Sequence, residues 1–158
     1  MRKLRVELKQ RKPFRNLREE AMLNIWRTGD VLAERLDLLL KSYNLSRGQY
    51  NVLRILRGAG DEGIPFGEVS ERLLTRGPDV TRMMDRLARG GLAERVRVAR
   101  DRRVILAKIT PRALGLLAEL EGPVARLTDR IMGQVPDARL KSLIKCLEEL
   151  RAGIDSTL

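Results

Sequence analysis

The chain has 158 residues, 43% of them apolar but only 3% aromatic, and a net charge of +11. That length supports one domain, with a core built from leucine, valine, isoleucine and methionine. With no histidine and a single cysteine, Cys146, the sequence excludes an intramolecular disulfide, a thiolate zinc site and the usual general base, so no catalytic residue, metal or cofactor is expected.

No apolar run is long enough to span a bilayer, and the basic N-terminus lacks the apolar stretch of a secretory signal. A cytoplasmic protein without membrane contact is expected. The charge is uneven: +7 over residues 1–18, −2 over 19–75, +5 over 76–103 and +1 over 104–158. Two concentrated patches suit a polyanion partner. A solvated charged face is the alternative.

Residues 1–13 read as a basic N-terminal arm, in which Leu4, Val6 and Leu8 share one side if the arm is extended. From about Asn16 to Tyr43 the period is helical, with Met22, Ile25, Leu32, Leu36 and Leu39 on one stripe. Asn44 closes this helix. Ser46 is the expected N-cap of the next, whose buried stripe is Tyr50, Leu53 and Leu56. "GAGDEGIP" reads as a loop.

Two short helices follow. The first is expected over Gly67–Leu74, burying Val69 and Leu73. "TRG" makes a tight connection, and Pro78 opens the second helix, which runs to about Arg89. Val80, Met83, Met84 and Leu87 form its buried face. Thr81, Arg82, Asp85, Arg86 and Arg89 form the other, with Asp85 expected in a salt bridge, Arg89 four residues on being one partner in reach. "GG" at 90–91 ends the helix. The period then becomes two: residues 93–98 alternate, "ARDRR" turns, and "VILAKIT" returns, which predicts a β-hairpin with a charged tip.

The last third is helical again. Leu114, Leu117, Val124, Leu127 and Ile131 form a stripe that Pro123 should kink or break. A final helix starts at Pro136 and Asp137, with Leu140, Leu143, Ile144, Leu147 and Leu150 in near-heptad spacing. That spacing on a terminal helix points to a partner helix, against a private core.

Two short helices and a charged hairpin make a winged helix-turn-helix, a mainly α fold with a small β wing. In such folds the second helix enters the major groove, and the wing lies along the backbone toward the minor groove. Double-stranded DNA is therefore the expected partner. The candidate DNA-binding residues are Thr81, Arg82 and Arg86 on the helix, and Arg95, Arg97, Arg100, Arg102 and Arg103 on the wing. Arg95 and Arg97 read equally well as strand-surface charges. Asp101 fits DNA only as a residue that braces a wing arginine.

The stretch "PDVTRMMDRLARGGLAERVRVARDRRVILAKITPRAL" resembles the winged core of the MarR family of transcription regulators. "VTRMMDRLARGGLAER" matches the recognition helix and first wing strand. Asp101, Arg103 and the following "VILAKIT" match the wing signature, and "LSRGQYNVLRIL" resembles the preceding helix. Together these cover roughly residues 15–153. One departure is Ala113, where the family has a glycine in "T-x-x-G".

The resemblance implies a homodimer that binds a pseudo-palindromic operator, usually as a repressor, and that a small aromatic or phenolic effector releases. It implies dimerisation through residues 14–45 and 111–158, around a DNA-binding region at 46–110. Arg103 matches the arginine that enters the minor groove, and Asp101 the acid that braces the wing. Trp26 and Tyr50 are candidates for an effector cleft by position, against an ordinary core role. Cys146 lies beside Ile144 and Leu147, so a buried or interface cysteine is expected rather than a redox switch. A sequence-tolerant architectural DNA-binding protein is the alternative function. An enzyme lacks support, with neither a phosphate-cradling glycine loop nor paired carboxylates.

Overall fold

The computed structural model describes residues 3–74, 80–98 and 101–155; the side chains of Val98, Asp101, Arg102, Arg103 and Asp155 lie outside that description. The chain divides into two compact units, residues 1–117 and 118–158.

The first unit opens with one helical turn, α1 (Leu4–Glu7), inside the segment read as an arm. Leu4 is buried, while Val6 and Leu8 are exposed. A lone extended segment would leave its backbone groups without a partner strand. One turn closes the Leu8 N–H onto the Leu4 carbonyl instead, at 2.9 Å. Helix α2 (Leu17–Lys41) is capped by Asn16, whose side chain accepts from the Glu19 amide. The Glu19 carboxylate accepts from the Arg15 amide in return. That bond lowers the Glu19 carboxyl from its ordinary value; desolvation opposes it, and the Arg15 guanidinium adds to the lowering. Asn44 takes the left-handed conformation that stops the helix, with φ 54°.

Helix α3 (Arg47–Ala59) starts on a full capping box between Ser46 and Gln49. Its core residues are Val52, Leu53 and Leu56, all fully buried, and Tyr50 is only half-buried. The expected loop at 58–65 holds a 3-10 turn (Gly60–Glu62) and a two-residue strand, β1 (Ile64–Pro65). Helix α4 (Phe66–Glu71) stops three residues before the expected Leu74. The Leu74 amide donates to the Asn51 side chain at 2.9 Å, which draws the chain out of the helical path.

The start of the next helix at Pro78, and the "TRG" connection before it, lie outside the described residues. Helix α5 (Val80–Arg89) is described from its third expected residue. Val80, Met84 and Leu87 are buried, as the spacing predicts, and Met83 is half-buried. A Cβ on Gly48 would sit 2.6 Å from the Met83 sulfur, so α3 and α5 approach closely there. Gly91 caps α5 with φ 67°.

Strands β2 (Ala93–Val98) and β3 (Asp101–Ile109) form the hairpin, and β1 adds to the other side of β3. The unexpected strand needs Gly63. Its φ is 73°, and a Cβ would meet the Ala107 carbonyl at 2.6 Å. Pro65 sits on this edge strand, where a missing N–H costs the ladder least.

Helix α6 (Pro111–Met132) starts cleanly despite the alanine at 113. The Thr110 hydroxyl donates to the Gly91 carbonyl at 2.8 Å and accepts from the Ala113 amide at 3.2 Å. The threonine therefore caps α6 and ties it to the end of α5. Pro111 follows at the first helical position, where proline is tolerated. Thr110→Val keeps the shape and removes both bonds. It should cost about 1 kcal/mol of stability, read as a lowered thermal midpoint.

The expected break at Pro123 does not occur, and α6 runs through it. The preceding residue is Gly122, which has no Cβ to clash with the proline ring. A long helix on both sides tolerates one missing hydrogen bond. In the second unit, residues 133–136 turn the chain into α7 (Asp137–Asp155). Leu143, Ile144, Leu150 and Ile154 are exposed along it. Cys146 is exposed in the single chain rather than buried.

Candidate nucleic-acid interface

Helix α5 has two chemically distinct sides. Val80, Met84 and Leu87 hold it to the core of the first unit. Thr81, Arg82, Arg86 and Arg89 are exposed on the opposite side. The Arg89 side chain donates to the Asp85 backbone carbonyl at 3.3 Å, and does not pair with its carboxylate.

The carboxylate of Asp85 has a different partner. Arg95, from β2, places Nη2 2.8 Å from Asp85 Oδ1. The same nitrogen donates to the Thr81 carbonyl at 3.3 Å. The guanidinium also lies over the Phe66 ring, 4.9 Å from its centroid. One arginine thus joins the wing strand, the exposed helix and α4. The salt bridge expected for Asp85 is present, but it crosses between elements instead of running along the helix. Arg97 lies on the same face of β2 as Arg95 by strand alternation and is exposed.

The wing is longer than the expected turn suggests. Strand β3 already begins at Asp101, so Asp101, Arg102 and Arg103 belong to the strand backbone and not to a tip. Arg97 pairs with Ile105 and Val98 with Asp101, with a register shift between the two pairs. One step on β2 therefore spans four on β3, and Arg103 sits in the middle of the intervening stretch. Such irregularities bend and twist a hairpin. Arg100 lies outside the described residues, as do the side chains of Asp101, Arg102 and Arg103.

The candidate effector residues separate. A cleft of about 330 Å³ between α2 and α3 is lined by Leu32, Leu36, Tyr50, Arg54 and Leu73 among others, but not by Trp26. Trp26 is 62% exposed, so it is not core in the single chain.

Sequence reasoning missed Phe66 and Asn51. The sign for Phe66 is an aromatic directly after Ile64 and Pro65, in a chain with two phenylalanines. Asn51 carries no such sign, because its role depends on where α4 ends. Among the described residues, no helix is long and apolar enough to cross a membrane.

The MarR family model matches residues 43–104, from just after α2 into the start of β3. A MarR transcription factor from Planctomyces limnophilus is 37% identical, with a TM-score of 0.67 over 86% of this chain and 98% of that one. The homoprotocatechuate degradative operon repressor of Escherichia coli is 25% identical over 114 residues, 72% of this chain and 76% of that protein. A mutant MarR from E. coli, crystallised in complex with operator DNA, shares the fold with a TM-score of 0.72 at 23% identity, over 80% of this chain and 89% of that one. A 37% identical relative over most of the chain, together with an arginine-bearing helix locked to a β wing, places the protein in the MarR family of DNA-binding transcription regulators.

Proposed function

We propose that this chain is a repressor that binds a pseudo-palindromic operator as a homodimer. The observation that carries this reading is the joined surface of α5 and β2. Thr81, Arg82 and Arg86 stand exposed on a helix whose apolar side anchors it, beside a wing tied to it by Arg95. A helix so presented fits the major groove, where arginine reads guanine edges and threonine reads several bases. Arg97, Arg100, Arg102 and Arg103 supply phosphate and minor-groove contacts, with Asp101 bracing the wing. The arm at 1–13 adds sequence-independent attraction to phosphates.

In this reading residues 46–110 are the DNA-binding region, and 14–45 with 111–158 form the dimer. The exposed Met22, Ile25 and Trp26 on α2, and the apolar stripe on α7, support it, since water-facing side chains of this size favour a covering partner. A small aromatic or phenolic ligand releases the DNA from the cleft that Tyr50 lines. That cleft adjoins α3, which packs against the recognition helix.

Selection of bound fragments from random duplex DNA tests the reading. The expected product is an inverted repeat with half-sites about one helical turn, ~10 bp, apart. Its affinity should exceed that for random DNA by roughly 10³-fold or more. Uniform affinity for all fragments would favour an architectural protein instead.

A further inference from the structure

We propose that Arg95 is a positioning residue, which fixes the angle between the recognition helix and the wing, and is not itself a DNA contact. The inference rests on the operator-binding reading above. Three observations carry it, each on a different element. The guanidinium is 2.8 Å from the Asp85 carboxylate and 3.3 Å from the Thr81 carbonyl, so it spans one turn of α5. It stacks over Phe66 of α4 at 4.9 Å. Its own backbone is held in the β2 ladder opposite Ala107.

A planar guanidinium can donate in its plane and stack on its face at once, whereas an ammonium cannot. The arrangement also accounts for Asp85. A carboxylate on a face that meets phosphates would repel them, and pairing with Arg95 neutralises it. The Arg95 and Asp85 side chains are 34% and 46% exposed, so solvent screens the pair and its contribution to stability is small. Its effect is on geometry. Thr81 and Asp85 bracket Arg82 in sequence, and Arg86 follows directly. A shift of α5 against the wing therefore moves the base-reading side chains relative to the phosphate contacts.

The test uses the full chain and measures affinity for the selected operator and for random duplex over a range of salt. Arg95→Met should reduce operator preference about tenfold, the scale of one misplaced base contact, with the slope of log affinity on log salt unchanged. Asp85→Asn should lose a similar amount, although it removes a negative charge from the face that meets the phosphates. The double variant should be no worse than either single one. Arg95→Lys should recover only part of the loss. A slope that falls by about 0.9 for Arg95→Met, with Asp85→Asn binding as well as wild type, would make Arg95 a direct phosphate contact and overturn the proposal. Additive losses in the double variant would also overturn it.

Nuclear magnetic resonance of the free protein separates this proposal from the operator reading. The Arg95 side-chain N–H resonances should carry a ring-current shift that Phe66→Leu removes and Asp85→Asn perturbs. If wild type showed no operator preference, the operator reading would fall, and the brace would stand on these shifts. Resonances unchanged in both variants would remove the brace whatever the DNA result.

Discussion

Leu150→Glu is expected to turn a dimer of twice the 18.0 kDa chain mass into a monomer. The reason lies in α7. Leu143, Ile144, Leu150 and Ile154 are 47%, 55%, 51% and 57% exposed, and Leu143, the half-buried Leu147, Leu150 and Ile154 follow at spacings of four, three and four along one stripe that Ile144 flanks. A second copy that covers the stripe would remove this apolar surface from water. Burying one leucine contributes roughly 1.5–3 kcal/mol, and a two-fold interface counts each substitution twice. Placing a carboxylate there adds a desolvation cost. The loss should therefore exceed about 3 kcal/mol, or more than a hundredfold in dimer affinity. Light scattering at micromolar concentration reads it directly. Operator affinity should fall with it, because a monomer offers one recognition helix where the site presents two half-sites. A wild type that scatters as a single chain, or a variant that keeps the dimer mass, would overturn the reading of α7.

The helices were legible where local chemistry and period agree. Ser46 is the N-cap as expected, and Gln49 three residues on completes a capping box that the sequence reading did not name. The buried face of α5 follows from one period, and Val80, Met84 and Leu87 obey it. Elements that depend on distant partners were not legible. β1 is two residues long and exists because β3 lies beside it. The end of α4 is set by Asn51, twenty-three residues before Leu74. Pro123 carries a strong local signal to break the helix, but Gly122 before it relieves the steric conflict and α6 continues. The alternation in the arm is likewise a local signal without a partner strand to act on it.

The candidate interface divides in the same way. Which face of α5 is exposed could be read from spacing, so Thr81, Arg82 and Arg86 stand where expected. What an individual arginine touches could not. Arg95 and Arg97 have the same residue type two positions apart, yet Arg95 is held by Asp85, Thr81 and Phe66. No period links positions 66, 85 and 95, because the fold alone brings them together. Trp26 does not line the cleft beside Tyr50, whose α2 residues begin at Gly29.

Arg103→Ala should lower operator affinity by roughly 1–3 kcal/mol, the range for a specific arginine contact, and leave dimer mass and melting temperature nearly unchanged. Arg103 lies within β3, in the middle of the stretch between the Arg97–Ile105 and Val98–Asp101 pairs. A residue in such a register shift has no directly opposed backbone partner, so its substitution should cost little stability. Arg103 is the residue proposed to enter a narrow minor groove, where the negative potential is concentrated. The loss should be largest on operators with A·T-rich flanks and smaller on random duplex, which separates groove insertion from general charge attraction. Arg126→Ala is the comparison. It removes the same charge from an exposed position on α6, so the two variants have equal net charge. Equal operator affinity for the two variants would mean that the wing does not insert, and the five arginines between 94 and 103 would act on DNA only as a diffuse positive field.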